Sequence, residues 1–157
     1  MNNIFIAFYR GKKPYKHGKS KIKTLWFRFL DRLTRFFTNG RYSHCEVAIK
    51  DKEGTYSIYS ASVRDKGVRV QHHKELTADQ WTLVPVQLSE EEVIKYFEQN
   101  KGKNYDFFGA IGCAVTWIDN SSKRMFCSEF CAGVLGYDEP WRFDPNELYS
   151  ILTRRTY

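Results

Sequence analysis

The residues best suited to covalent chemistry in this sequence surround one cysteine, in the segment Phe126-Cys127-Ser128-Glu129. The residue order predicts a turn at Cys127 and then a short helix that stops at Gly136, because glycine after the last apolar residue readily adopts the left-handed conformation. The thiol would lie at a helix N-terminus, where free N–H groups and the helix dipole favour the nucleophilic thiolate. A buried structural cysteine is the alternative, since free cysteine is among the most buried residue types.

A nucleophilic cysteine needs a base, and histidine is its usual partner. The chain offers His17, His44, His72 and His73. His44 begins an apolar strand directly after a turn, where the rim of a cleft would lie, so it is the candidate base. The alternative for His44 is a half-buried histidine whose hydrogen bonds are satisfied. The other three lie in polar stretches and are expected at the surface.

Two further residues are candidates to orient the His44 ring. Glu46 lies two residues later and shares a strand face with it. It could flank the site or simply face solvent. Ser60 lies on the following strand and could accept a hydrogen bond from the ring, although a hydroxyl cannot stabilise imidazolium as a carboxylate does. The sequence leaves the choice between Glu46 and Ser60 open.

Hydrophobic spacing and capping residues predict the elements that position these side chains. The predicted strands are Ile4–Tyr9, Tyr42–Ile49, Tyr56–Ser62, Val68–Val70 and Trp81–Val86. Pro85 favours a sheet edge for the last of them, because proline has no N–H to donate. The predicted helices span about 24–37, a Ser89-capped segment to Asn100, about 105–117, the Cys127 helix and a turn capped by Asp144.

Length and composition favour one folded domain over residues 1–157. Hydrophobic residues make up 42% of the chain and aromatic residues 17%, which excludes a disordered tail. The cysteines Cys45, Cys113, Cys127 and Cys131 are too few for a disulfide scaffold and form no C-x-x-C pair. We therefore expect reduced thiols, no metal and no cofactor.

The N-terminal segment 1–10 is apolar but too short for a signal peptide, and it lacks a charged start and a cleavage site. No apolar run approaches the length that crosses a membrane. From these features we expect a cytoplasmic or otherwise soluble protein.

The net charge of +7 is concentrated in the N-terminal part of the chain. Residues 1–42 contain a single acid, Asp31, beside the basic residues Arg10, Lys12, Lys13, Lys16, Lys19, Lys21, Lys23, Arg28, Arg32, Arg35 and Arg41. Such a segment suits an anionic membrane surface or an acidic polymer, although it could also serve solubility alone. Nucleic acid is a further option, but no recognised binding motif accompanies the charge.

The predicted helix at about 24–37 bears on the choice of partner. Its apolar face contains Trp26, Phe29, Leu30 and Leu33, with Arg28, Arg32 and Arg35 off that face. An ordinary core-facing helix is the preferred interpretation, because a chain of this size needs its aromatic residues for the core. A helix lying in the membrane interface is the alternative.

Several short motifs, taken in order, resemble one family of enzymes. They are Tyr42-Ser43-His44, Tyr59-Ser60-Ala61, Gly67-Val68-Arg69, Gly102-Lys103-Asn104-Tyr105-Asp106 and Phe126-Cys127-Ser128-Glu129. Their order and spacing resemble those of the circularly permuted NlpC-type papain-like cysteine hydrolases, in the YiiX-like branch. The resemblance extends from about Ile4 to Leu148, and the basic loop is its least matched part.

This resemblance implies a papain-like α+β fold, with a small antiparallel sheet packed against helices. It also implies hydrolysis or transfer at an amide, ester or thioester bond, with Cys127 as nucleophile and His44 as base. The third catalytic residue of the family is usually a glutamate at the position that Ser60 occupies here, so Glu46 could substitute for it, or activity could be weak or lost. A non-catalytic module that binds an anionic partner on the same fold is the rival hypothesis. Peptidoglycan peptides, acyl lipids and protein amides all remain open as substrates.

Overall fold

Strands dominate the part of the chain that the structure, a computed structural model, describes: residues 3–10, 40–63, 65–73, 75–106 and 123–154. The strands are β1 (Ile4–Tyr9), β2 (His44–Lys50), β3 (Tyr56–Ser62), β4 (Gly67–His73), β5 (Trp81–Pro85), β6 (Asn104–Tyr105) and β7 (Arg124–Met125). The helices are α1 (Glu90–Asn100), α2 (Cys127–Val134) and α3 (Pro145–Thr153), with a 3-10 turn at Pro140–Arg142.

All seven strands join one curled sheet in the order β5-β1-β2-β3-β4-β6-β7. Neighbouring strands are antiparallel except β6 and β7, which are parallel. β2 is flanked by β1 and β3, and its first residue, His44, is paired with Tyr9. β3 pairs with β4 along its other edge, where Ser60 of β3 is opposite Arg69 of β4. The start of β2 and the middle of β4 are therefore two strands apart in the same sheet.

The expected papain-like α+β fold, with a small antiparallel sheet packed against helices, is wrong. In the part of the chain that the structure describes, the sheet is a seven-stranded mixed half-barrel accompanied by three short helices. Two physical reasons explain the error. β6 and β7 have two residues each, too few to show any periodicity. β4 continues to His73 through exposed polar residues, because its backbone pairing with β3 does not require apolar side chains.

The longer strands were predictable from their patterns. β1 and β3 have the predicted bounds, while β2 begins at His44 instead of Tyr42. β5 contains Pro85 and is the terminal strand of the sheet, as predicted, because only an edge tolerates a missing N–H.

Both predicted helix caps are confirmed. At α1, the Ser89 hydroxyl accepts the Glu92 N–H at 3.2 Å, and the Glu92 carboxylate accepts the Ser89 N–H at 2.7 Å. At α3, the Asp144 carboxylate accepts the N–H groups of Asn146 at 2.6 Å and Glu147 at 3.0 Å. These reciprocal bonds satisfy donors that have no partner inside a helix.

Apolar side chains cover both faces of the sheet. On one face Ile6, Phe8 and Val47 pack in the same cluster as Phe130 of α2 and Leu148 of α3. A smaller cluster on the opposite face contains Ala7, Ala48, Tyr56, Ile58 and Leu76. The larger cluster holds the start of α2 against β2, which brings the two predicted chemical segments together.

Two predicted helices cannot be compared with the structure. The basic loop and helix at about 11–38 lie outside the described residues, and the helix expected from Tyr105 begins in β6 and then leaves them. Among the helices that are described, none is both long and apolar enough to cross a bilayer.

Candidate functional site

The first turn of α2 presents the cysteine as the sequence predicts. Phe126 is extended, the helix begins at Cys127, and the Phe130 N–H donates to the Phe126 carbonyl at 3.0 Å. The Glu129 carboxylate accepts the Phe126 N–H at 3.2 Å. The helix ends at Val134, and Gly136 follows with a φ of 78°, so the predicted stop is confirmed. The thiol consequently lies at the positive end of the helix.

The chain that leads into β2 is fixed from two sides. The Asn146 side chain accepts the Tyr42 N–H at 2.9 Å and donates to the Tyr42 carbonyl at 3.0 Å. The Ser43 N–H donates to the Tyr9 carbonyl at 3.2 Å. Helix α3 and strand β1 thus hold the backbone on which His44 enters the site.

The His44 ring lies between a carboxylate and the thiol. Its Nε2 is 2.9 Å from Glu46 Oε1, and the Glu46 side chain is only 4% exposed whereas that of His44 is 22% exposed. The ring also interacts electrostatically with Cys127. Because Glu46 engages Nε2, Nδ1 is the ring nitrogen available to exchange a proton with the thiol.

These contacts favour a thiolate–imidazolium pair. Burial opposes a charge on His44, but Cys127 and Glu46 together outweigh it, so the pKa of His44 is raised well above its usual value. The Cys45 thiol does most to lower the pKa of Cys127, and His44 lowers it further. Burial acts in the opposite direction, but the pKa of Cys127 is still held well below its usual value. Both directions favour a proton on the ring and a negative charge on sulfur.

Three reduced cysteines, Cys45, Cys127 and Cys131, are buried in the described residues; Cys113 lies outside them. Cys45 interacts with both Cys127 and Cys131. Burial, followed by these two thiol contacts, raises the pKa of Cys45 well above its usual value. Cys45 thus stays a neutral thiol and can donate its hydrogen to the Cys127 sulfur.

A residue that was assigned no role from the sequence, Arg69, completes the charged cluster. Its Nη2 contacts the same Glu46 Oε1 atom that faces His44. Its Nε donates to Asp65 Oδ2 at 2.9 Å and its Nη1 to the Ile58 carbonyl at 3.3 Å. Burial would raise the pKa of Glu46, but His44 and then Arg69 lower it to about 2. Glu46 is accordingly an anion held between two cationic groups.

Of the two candidates for orienting the ring, the structure brings Glu46 to His44 and directs Ser60 elsewhere. The Ser60 hydroxyl is fully buried, and its acceptors are the backbone carbonyls of Cys45 at 3.0 Å and Ala61 at 3.3 Å. Among the hydrogen bonds of the described residues, none joins Ser60 to the imidazole. Ser60 thus ties β3 to β2 behind the site.

Only indirect sequence signals pointed to the residues that had been assigned no role. Arg69 lies 23 residues after Glu46, and its proximity follows from the pairing of β3 with β4. Cys131 is one helical turn after Cys127, a spacing that places the two side chains on one face. Cys45 could be placed beside Cys127 only once the packing of α2 on β2 was known.

Within the described part of the chain, no group of His, Cys, Asp and Glu side chains is arranged to hold a metal ion. Comparisons of the chain with protein-family models, with curated proteins and with solved structures find no match. The chemistry of the site must therefore be argued from the cluster of Cys127, His44, Glu46 and Arg69 itself.

Proposed function

We propose that the protein is a cysteine hydrolase that forms a covalent acyl-enzyme on Cys127. One observation supports this most strongly: a cysteine at a helix N-terminus interacts with a histidine whose Nε2 lies 2.9 Å from a buried carboxylate. Nucleophile, base and orienting group in this arrangement constitute the usual constellation for acyl transfer. The sequence resemblance to NlpC-type cysteine hydrolases supports the same chemistry.

The reaction follows from the protonation states of the site. The Cys127 thiolate attacks the substrate carbonyl carbon, and the resulting oxyanion can accept a hydrogen bond from the Cys127 N–H at the helix start. His44 Nδ1 then gives its proton to the leaving amine, alcohol or thiol as the bond to it breaks. Neutral His44 next takes a proton from water, whose oxygen attacks the thioester. The acid departs, and the thiolate–imidazolium pair is restored.

The substrate class is an amide, ester or thioester, since each of the three can transfer its acyl group to a thiolate. An activated ester such as p-nitrophenyl acetate is a suitable probe, because its leaving group needs little protonation. We expect a rapid release of nitrophenolate, a slower steady state, and an acetyl group on Cys127 in a mass spectrum of the quenched protein. Acetylation of Cys45 or Cys131 with an unmodified Cys127 would contradict the proposal.

A second candidate function is a binding module for an anionic partner, and the uneven charge of the sequence favours it. Residues 1–42 hold all but one of their charged side chains as Lys or Arg. Attraction by such a segment reaches about 8 Å at physiological salt, the Debye length. The two functions are compatible, because the basic segment and the cysteine cluster involve different residues.

Vesicle binding tests the second candidate. We expect the protein to sediment with phosphatidylserine-containing vesicles at low salt and to be released at high salt, with no sedimentation on neutral phosphatidylcholine vesicles. A variant with Lys12, Lys13, Lys16, Lys19, Lys21 and Lys23 changed to Gln should bind less. Equal binding to both vesicle types, or to neither, would remove the membrane version, and titration with polyglutamate would then test an acidic polymer.

A further inference from the structure

We propose that Arg69 is a positioning residue that keeps Glu46 ionised whenever His44 is neutral, and thereby allows His44 to act as the base that releases the acyl group. The inference rests on the proposed function, because it concerns the second half of the same reaction. It assigns a role to a residue that touches neither the thiol nor the ring.

The geometry makes Arg69 and His44 joint partners of one atom. His44 Nε2 and Arg69 Nη2 both contact Glu46 Oε1. Arg69 cannot easily swing away, because its Nε is held by Asp65 at 2.9 Å and its Nη1 by the Ile58 carbonyl at 3.3 Å. The Arg69 side chain is 14% exposed, and its guanidinium lies between Asp65 and Glu46 as a fixed positive group.

The charges facing the ring change during the reaction. Among the described residues, the charged groups that interact with His44 are Glu46, from its own strand, and Cys127, from α2. Arg69 of β4 lies on the other side of Glu46, Asp65 pairs with Arg69, and the neutral thiol of Cys45 interacts with Cys127. Once Cys127 is acylated it has no negative charge. The Glu46–Arg69 pair then decides whether His44 is protonated.

A buried carboxylate needs a cationic partner. If Arg69 were absent, loss of the imidazole proton would leave Glu46 without one. His44 would then retain its proton, and a protonated imidazole cannot accept one from water. With Arg69 present, Glu46 is paired in both states of the ring. His44 can therefore lose its proton to the leaving group and become a base at near-neutral pH.

The first test measures the proton on His44 directly, without any substrate. The Cys127→Ala protein imitates the loss of the thiolate charge, and NMR of the histidine rings as a function of pH reports the pKa of His44, assigned by its disappearance in His44→Gln. We expect Arg69→Gln in this background to raise the pKa of His44 by about 1. Arg69→Lys, which keeps the charge, should raise it by less than half as much.

The second test separates the two halves of the reaction with p-nitrophenyl acetate. In otherwise unchanged protein, Arg69→Gln should keep the initial burst but slow the steady-state rate about tenfold at neutral pH, and the steady-state rate should recover at higher pH. Arg69→Lys should retain most of the steady-state rate. Absence of turnover in the unsubstituted protein would refute the proposed function, whereas the NMR titration would still decide the role of Arg69.

Two results would overturn the inference. One is a pKa of His44 that is unchanged or lowered in Arg69→Gln, or raised equally in Arg69→Lys. The other is unfolding of Arg69→Gln, detected by circular dichroism, because glutamine still offers a donor to Glu46 and its failure would mean that Arg69 acts only as a structural residue.

Discussion

Alanine in place of Cys127 or His44 is expected to lower kcat/KM for p-nitrophenyl acetate by about a thousandfold or more. Cys127→Ala removes the atom that attacks the carbonyl. His44→Ala removes both a positive charge that helps to keep the sulfur ionised and the base for water. Because the two side chains act as a unit, the effects should not add, and kcat/KM of the double variant should be close to that of each single variant.

Cys131→Ser is the matched control for these substitutions. Cys131 is fully buried one turn after Cys127 and contacts the Cys45 thiol. Its replacement should retain most of the activity but lower the free energy of unfolding by about 1–3 kcal/mol, because a hydroxyl enters an apolar cluster. Thermal unfolding should show Cys127→Ala and His44→Ala to be folded. Retained turnover in either folded alanine variant would contradict the mechanism.

Glu46→Gln should have the next largest effect, a loss of about a hundredfold in kcat/KM. An amide removes the negative charge that favours imidazolium, and its NH₂ group can also turn towards the ring. The same change removes the Glu46 charge from the Arg69 guanidinium, which keeps only Asp65 as an ion-pair partner beside the Ile58 carbonyl. This loss should lower the free energy of unfolding by about 1–3 kcal/mol. Both losses have one cause, the charge of a carboxylate that is 4% exposed.

Ser60 provides the comparison for Glu46. Ser60→Ala should change the rate little, because the hydroxyl bonds backbone carbonyls and leaves the ring alone. Ser60→Glu should lower the free energy of unfolding without raising the rate. Ser60 is fully buried, so the change would bury a second carboxylate. Kinetics and thermal unfolding of the three variants would decide the matter. A larger kinetic loss in Ser60→Ala than in Glu46→Gln would contradict the assignment of Glu46.

Local sequence signals predicted the parts of the site that depend on neighbours in the chain. The helix start at Cys127 and its end before Gly136 follow from caps and from glycine, which act over a few residues. The proximity of Glu46 and His44 follows from the two-residue period of a strand. The caps at Ser89 and Asp144 were also predictable, because a helix cap depends on residues that lie within a few positions of each other.

Features that depend on distant pairing were not predictable. Arg69 reaches Glu46 only because β3 pairs with β4 in one register, and a shift of one residue would turn it to the other face. The papain-like fold was expected from motif order, but motif order does not specify how many strands join a sheet. β6 and β7 extend the sheet through backbone pairing of two residues each, which leaves no pattern in the sequence.

The most direct test of a reactive thiolate is the rate at which iodoacetamide alkylates each cysteine as a function of pH, followed by mass spectrometry of peptides. Because the pKa of Cys127 is lowered, its thiolate persists at a pH where an ordinary thiol is protonated, so Cys127 should already react at neutral pH and its rate should rise little towards alkaline pH. Cys45, whose pKa is raised, should react far more slowly throughout. In His44→Ala, which leaves Cys45 in place, the rise of the Cys127 rate should move to higher pH than in the unsubstituted protein. A Cys127 rate that in the unsubstituted protein increases only towards about pH 8.5 or above, as for an ordinary thiol, would contradict the account.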